Sequence, residues 1–230
     1  MLAGMLRALL SAVVVLSLSG SAWAVPLGYT DKASFDGAVS SLSPPQTLDF
    51  EDVASGTLIP SGTGLDGVSF VYSIPGYSLR VSSTFGTTSP SNYLGLDNPD
   101  TAFYLGDQIT IEFGQVVRAV GLYAIAGSDT QAGDFELSAG GGSVTNAALA
   151  DRDVSDGSAW FLGLVDTSPG GGFTSATLRG VDAGDGAFLA FSVDDVTTAV
   201  PEPGVAALGV SALAVLVAAS LWRGRTCTLV

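Results

Sequence analysis

Residues 108–126, QITIEFGQVVRAVGLYAIA, contain the clearest structural pattern in the chain. In the first six of these residues, two isoleucines and a phenylalanine alternate with polar residues, which is the two-residue period of a half-buried β-strand. Residues 116–126 continue as an apolar run rich in β-branched and aromatic side chains, which favours another strand. The stretch therefore predicts two successive strands.

Short runs of the same kind recur along the chain, separated by Gly, Ser, Asp and Pro, and the Asp66-Gly67 pair predicts a hairpin turn. One short helix is predicted before them, over Thr30 to Leu42, where Thr30 or Asp31 can act as the N-cap and Pro44-Pro45 ends the helix. The pattern predicts an all-β fold: an antiparallel β-sandwich, jelly-roll-like, with one short N-terminal helix. The predicted strands are residues 47–50, 67–73, 78–82, 101–105, 108–113, 116–126, 134–138, 159–166, 175–179 and 187–193.

The composition excludes several classes of function. The chain has 230 residues, with 8 Lys+Arg, 22 Asp+Glu, no His and one Cys. We expect no nucleic-acid partner, because such binding needs a basic surface. Without His there is no His-dependent triad and no His-ligated zinc site, and a single Cys excludes an internal disulfide.

Residues 1–24 predict a secretory signal peptide. Arg7 provides the positive n-region, and residues 9–18, LLSAVVVLSL, provide the apolar h-region. Ala22 and Ala24 flank Trp23 in the small-x-small pattern of a cleavage site. We therefore expect export by the Sec machinery, which leaves an ectodomain of residues 25–200.

Residues 201–230 carry a second targeting signal. Pro201, Glu202 and Pro203 precede residues 204–222, a run of 19 uncharged residues that is long enough to cross a bilayer as a transmembrane helix. Arg223 and Arg225 follow in the tail 223–230, and basic residues in this position stay on the cytoplasmic side of the membrane.

The composite of triplet, apolar span and basic tail resembles the PEP-CTERM sorting signal of Gram-negative bacteria. The resemblance implies that Pro201, Glu202 and Pro203 are recognised by exosortase, a membrane-embedded cysteine transpeptidase, while Arg223 and Arg225 act as the membrane stop. It also implies transient anchoring in the inner membrane and a final location at the cell surface or in the extracellular matrix. The tail after Arg225 is slightly longer and less basic than is usual in that family. The alternative is a single-pass periplasmic membrane protein with an incidental proline linker.

The ectodomain resembles, more loosely, the β-rich surface domains that often precede such signals. This resemblance implies a structural or adhesive component of the exopolysaccharide or biofilm matrix, without enzymatic activity or catalytic residues. The matching positions are Phe35, Leu48 to Glu51, Gly67 to Phe70, Phe161 to Leu164, and Phe191 to Val196.

Two other functions remain open from the residues. A carbohydrate-binding module would stack sugar rings on exposed aromatic side chains, although the sequence does not assign the binding residues. A glycoside hydrolase would need two carboxyl groups at a defined separation, and no such pair stands out. The aromatic candidates for stacking are Tyr72, Tyr77, Tyr93, Tyr104, Tyr123 and Trp160.

Acidic residues near both ends of the ectodomain predict one structural metal site. Glu51 follows the first predicted strand, while Asp194 and Asp195 follow the last, and these strands lie close together in a jelly roll. Calcium takes six to eight oxygen ligands, and carboxylates brought together without a cation repel one another. We therefore expect a structural Ca²⁺ held by these three residues, with Asp49 and Asp52 as neighbours; the alternative is that the acids face solvent and cap turns.

Overall fold

The computed structural model describes residues 25–181 and 189–201. It confirms the all-β fold, with two antiparallel sheets and one helix, α1 (Lys32–Val39), in this part of the chain. The strands are β1 (Leu27–Tyr29), β2 (Gln46–Leu48), β3 (Leu58–Pro60), β4 (Gly64–Leu65), β5 (Val68–Tyr72), β6 (Ser78–Ser82), β7 (Tyr93–Leu96), β8 (Phe103–Tyr104), β9 (Gln108–Val117), β10 (Ala119–Ala126), β11 (Phe135–Ala139), β12 (Gly142–Thr145), β13 (Arg152–Val154), β14 (Gly157–Val165), β15 (Phe173–Gly180) and β16 (Ala190–Ala199).

The larger sheet has the strand order β1-β14-β10-β16-β7-β6-β3, with β13 added to β14, and β2 and β8 added to β16. The smaller sheet has the order β12-β11-β15-β9-β5-β4. The inner faces of the two sheets share one apolar core. In it the ring of Phe135 from the smaller sheet lies 6.1 Å from Trp160 and 5.2 Å from Phe191 of the larger sheet.

The 108–126 stretch forms β9 and β10, but these strands belong to different sheets and the chain crosses between them at Arg118. The predicted boundary between the two strands was wrong, since Val116 and Val117 complete β9. β9 keeps its alternation because only one of its faces is buried. β10 is buried at every position because both faces of its sheet are covered there.

Helix α1 covers part of the outer face of the larger sheet. Asp31 is its N-cap and accepts a hydrogen bond from the backbone N–H of Ser34 at 2.6 Å. The Phe35 ring packs 5.1 Å from that of Phe161 and sits over Gly121 and Gly163, where an added Cβ would come within 3 Å of it. The helix ends at Val39, three residues earlier than predicted.

The predictions missed six strands of two to four residues, which are too short to show a period: β1, β3, β4, β7, β12 and β13. One turn, in contrast, was predicted from its residue types. Asp66 and Gly67, a predicted hairpin turn, have φ values of 47° and 82° and connect β4 to β5 as the two central residues of a tight turn.

No helix in residues 25–181 or 189–201 is long and apolar enough to cross a membrane. The predicted signal peptide, with its predicted cleavage residues Ala22 and Ala24, lies outside the described residues. So do Glu202 and Pro203, the predicted span 204–222, and Arg223 and Arg225.

Candidate functional site

The central strand β16 places polar side chains on the outer face of the larger sheet. Phe191 and Val193 lie in the core between the sheets, so Ser192 and Asp194 point to the opposite face. Asp195 has φ 50°, and the register of β16 against β10 shifts at this position. Such a bulge re-aims the neighbouring side chains. β16 is therefore longer than the strand predicted to end at Val193, and it contains both acids.

Asp194 fixes the loop of residues 83–92, which joins β6 to β7 and which we call the 83–92 loop. Its Oδ2 accepts hydrogen bonds from the backbone N–H groups of Thr88 at 3.0 Å and Ser89 at 2.8 Å, and from the hydroxyl groups of Thr87 and Thr88. Its Oδ1 accepts from the N–H of Asp195 at 2.8 Å. The side chain is completely buried, so these donors replace the water that an ionised carboxylate would otherwise bind.

Glu51 holds the far end of the same loop. Its Oε1 accepts from the N–H groups of Ser91 at 2.8 Å and Asn92 at 2.7 Å, and from the Ser89 hydroxyl at 3.1 Å. The side-chain amide of Asn92 donates to the Phe50 carbonyl oxygen at 3.2 Å. Two carboxylates therefore anchor the loop, and Ser89 contacts both.

The surroundings shift the pKa values of the three acids in different directions. Burial raises the pKa of Asp194, and its hydrogen bonds only partly oppose this effect. Burial, and then repulsion by Asp194, raise the pKa of Asp195. Burial would also raise the pKa of Glu51, but the N–H groups of Asn92 and Ser91 outweigh it and the pKa is lowered.

Of the three predicted calcium ligands, Glu51 and Asp194 anchor the 83–92 loop, and Asp195 is the neighbour of Asp194 in β16. Residues 25–181 and 189–201 contain no group of three or more side chains able to hold a metal ion. Glu51 Oε1 and both oxygens of Asp194 accept N–H or O–H hydrogen bonds. These donors offset part of the cost of burying Asp194, while Asp194 still repels Asp195 and raises its pKa.

We predict that Asp195→Asn stabilises the protein at pH 7. A carboxyl group whose pKa is raised by folding favours the folded state when protonated, and this contribution is lost as the pH rises through the folded pKa. Asparagine removes the charge and tolerates the positive φ. The free energy of unfolding should rise by about 1 kcal/mol at pH 7. This value allows for the partial exposure of the side chain, because solvent screens part of the repulsion.

Thermal unfolding at pH 7 and at pH 4 measures this effect, because the gain should shrink as Asp195 becomes protonated in the wild type. Asp129→Asn, which removes an exposed charge, is the matched control. A loss of stability at pH 7 for Asp195→Asn alone would contradict the prediction.

Most of the aromatic side chains considered as sugar platforms are buried. Tyr72, Tyr93, Tyr123 and Trp160 lie in the protein interior, Tyr104 is half-buried, and only Tyr77 is exposed, at 48%. Phe85, which is 45% exposed and lies in the 83–92 loop, was not among the aromatic residues singled out from the sequence. In the sequence, this phenylalanine stands alone in the polar stretch STFGTTSPSN. The stretch has no regularly spaced apolar residues that would predict a buried position for the ring, so exposure could have been expected.

Phe85 borders a half-open cleft on the outer face of the larger sheet. Its volume is ≈ 180 Å³. Ile125 and Ser192, which are direct neighbours across β10 and β16, lie at its floor. Gly86 brings the loop against the tip of the β13–β14 hairpin, where an added Cβ would lie 2.8 Å from the backbone nitrogen of Ser155. The lining residues are Phe85, Gly86, Ala102, Ile125, Ala126, Gly127, Val154, Asp156, Ala190, Phe191 and Ser192.

No protein-family model matches this chain, and no curated protein matches it at a significant level.

Proposed function

We propose that the chain is an exported surface protein that exosortase sorts at Pro201, Glu202 and Pro203. It is held in the inner membrane by residues 204–222 and is then released to the cell surface or the extracellular matrix, where its domain is a structural or adhesive component. The sequence supports this through the signal peptide, the triplet, the uncharged span of 19 residues and the two arginines after it. In this proposal the two sheets are those of a jelly-roll-like sandwich.

The observation that carries the proposal is the junction between the last strand and the triplet. β16 lies inside the larger sheet and ends at Ala199, which pairs with Ala119 and is completely buried. The N–H of Arg118 donates to the Ala199 carbonyl oxygen at 2.7 Å. Pro201 comes two residues later, is half-buried, and has no N–H with which to continue the ladder.

The position of this junction suits proteolytic release. The hydrogen-bonded core ends before the triplet, so cutting there breaks no strand of the described domain. A transpeptidase needs an extended segment that is not tied into secondary structure, and the flanking prolines favour such a conformation. The span would hold this segment close to the membrane surface.

The charge of the domain is consistent with a solvated component of the matrix. The described residues include five basic side chains, and each one is engaged within its own domain: Lys32 with Asp36, Arg80 with Asp97, Arg118 with the carbonyl oxygens of Asp166 and Ser168, Arg152 with Tyr123, and Arg179 with Glu136. The remaining carboxylates are uncompensated, and this excess negative charge keeps the domain soluble.

We predict that replacing Pro201, Glu202 and Pro203 together by alanine blocks the release of the domain. Membrane fractionation of the host cells should show the wild type mainly in the surface or medium fraction and the triple variant at least ten-fold depleted there. The matched control replaces Thr226 and Thr228 by alanine in the tail and should be released like the wild type. Equal release of the triple variant would favour the retained anchor or another protease and would contradict the proposal.

A further inference from the structure

We propose that the cleft beside Phe85 binds one pyranose ring of a glycan that carries no acidic group. This binding site goes beyond the sorting proposal and does not depend on it, because it rests on the folded domain alone. It gives carbohydrate binding a location that none of the aromatic residues considered in the sequence occupies.

The size and lining of the cleft fit a single six-membered ring. A cavity of about 150 Å³ is enough to bind benzene, and this cleft measures ≈ 180 Å³. Its walls are mostly apolar, with Phe85 on the loop side, Val154 on the hairpin side and Ile125 at the floor. The C–H face of a pyranose is apolar and can lie against such walls, while the ring hydroxyls face the few polar groups of the site.

Ser192 supplies the polar group at the floor. Its side chain is only 5% exposed and lines the cleft. Ser192 points to the outer face of the sheet, so its hydroxyl can donate a hydrogen bond to a ring hydroxyl of the ligand or accept one from it.

The charge of the lining selects the kind of sugar. Asp156 at the hairpin tip is the one charged residue that lines the cleft within the described residues, and it is exposed. Its carboxylate can accept hydrogen bonds from sugar hydroxyls or attract an amino sugar, but it repels a uronic acid. The basic residues of the described domain are engaged elsewhere, so the site favours neutral or amino sugars over acidic ones.

The walls of the cleft are held in place before any ligand binds. Asp194 and Glu51 anchor the 83–92 loop, and the Phe85 ring stacks on Tyr93 with centroids 6.4 Å apart and an interplanar angle of 25°. Binding therefore needs little additional ordering of the protein, which lets a small ring bind measurably.

The test uses the full chain in lipid nanodiscs, since sugar-based detergents would compete for the site. Saturation-transfer NMR is recorded with the methyl glycosides of glucose, galactose, mannose, glucosamine and N-acetylglucosamine, with methyl glucuronide, and with cyclohexanol as an apolar ring without the array of hydroxyls. We expect transfer to at least one neutral or amino glycoside, and at least ten-fold weaker binding of the glucuronide and of cyclohexanol.

Variants assign this binding to the cleft. Phe85→Ala should weaken it at least ten-fold and Ser192→Ala three-fold or more, while circular dichroism shows an unchanged fold. Tyr77→Ala is the matched control, because Tyr77 is equally exposed and does not line the cleft. The proposal is overturned by the absence of transfer to every glycoside, by equal binding of cyclohexanol, or by wild-type binding in Phe85→Ala. It is also overturned if the wild type self-associates and Phe85→Ala does not, since a second copy would then fill the cleft.

Discussion

Asp194→Ala is expected to lower the free energy of unfolding by about 3 kcal/mol or more, because it removes a buried acceptor and leaves several partly buried donors without a partner. The N–H groups of Thr88, Ser89 and Asp195 would be the main losses. Each unsatisfied buried donor costs about 1–3 kcal/mol, and the loop can relax enough to recover only part of that. The raised pKa of Asp194 does not change the sign, since its cause is burial and the hydrogen bonds favour the ionised form.

Urea unfolding at pH 7 measures this loss, and hydrogen exchange locates it. We expect faster exchange at the amides of Thr88 and Ser89 in the 83–92 loop. Asp52→Asn, which changes an exposed acid on the adjacent segment, should stay within about 0.5 kcal/mol of the wild type. If Asp194→Ala is as stable as that control, Asp194 does not anchor the 83–92 loop. The walls of the cleft would then not be held in place by this carboxylate.

Gly95→Ala should be equally damaging for a steric reason. A Cβ on Gly95 would lie 1.9 Å from the carbonyl oxygen of Thr101 and 2.7 Å from its carbonyl carbon. This backbone cannot retreat easily, because the Tyr93 and Thr101 hydroxyl groups are 2.7 Å apart and Asn98 donates to the Ala102 carbonyl oxygen at 2.8 Å. We expect a loss of about 3 kcal/mol or more in the free energy of unfolding, at or beyond the upper end of overpacking costs.

The matched control is Gly37→Ala. Gly37 lies on the exposed side of α1, and a Cβ there would have no heavy atom within 4 Å. Alanine is the better helix former by about 1 kcal/mol, so this variant should be as stable as the wild type or more stable. Similar losses for the two substitutions in urea unfolding would show that the close approach at Gly95 is not a constraint on the fold.

The sequence predicted those parts of the fold that have a local period or local turn chemistry. Alternation predicted β9, two capping candidates, Thr30 and Asp31, predicted the start of α1, and the Asp66-Gly67 pair predicted a hairpin turn. These features depend on residues that are neighbours in the chain, so one sequence is sufficient to find them. The predicted strand boundaries were wrong where tertiary structure sets the end of a strand. At Val117, for example, β9 ends because the chain crosses from one sheet to the other.

The candidate site could not be predicted because its contacts are distant in sequence. Asp194 and Thr88 are separated by 106 positions, and Glu51 and Asn92 by 41. The sequence grouped Asp194 with Glu51 as calcium ligands, but it gave no sign that both accept a hydrogen bond from the Ser89 hydroxyl. Phe85 had no local period, and its exposure depends on how those two carboxylates fold the loop.

The most direct test of the proposed function is the mass of the intact mature protein from host cells with and without the transpeptidase. The proposal predicts a chain that begins near Val25 and ends at or near Pro201 to Gly204 when the enzyme is present, and that retains the C-terminal segment when it is absent. A mass that runs through Val230 in both strains would contradict it and would identify the chain as a permanently anchored protein of the inner membrane.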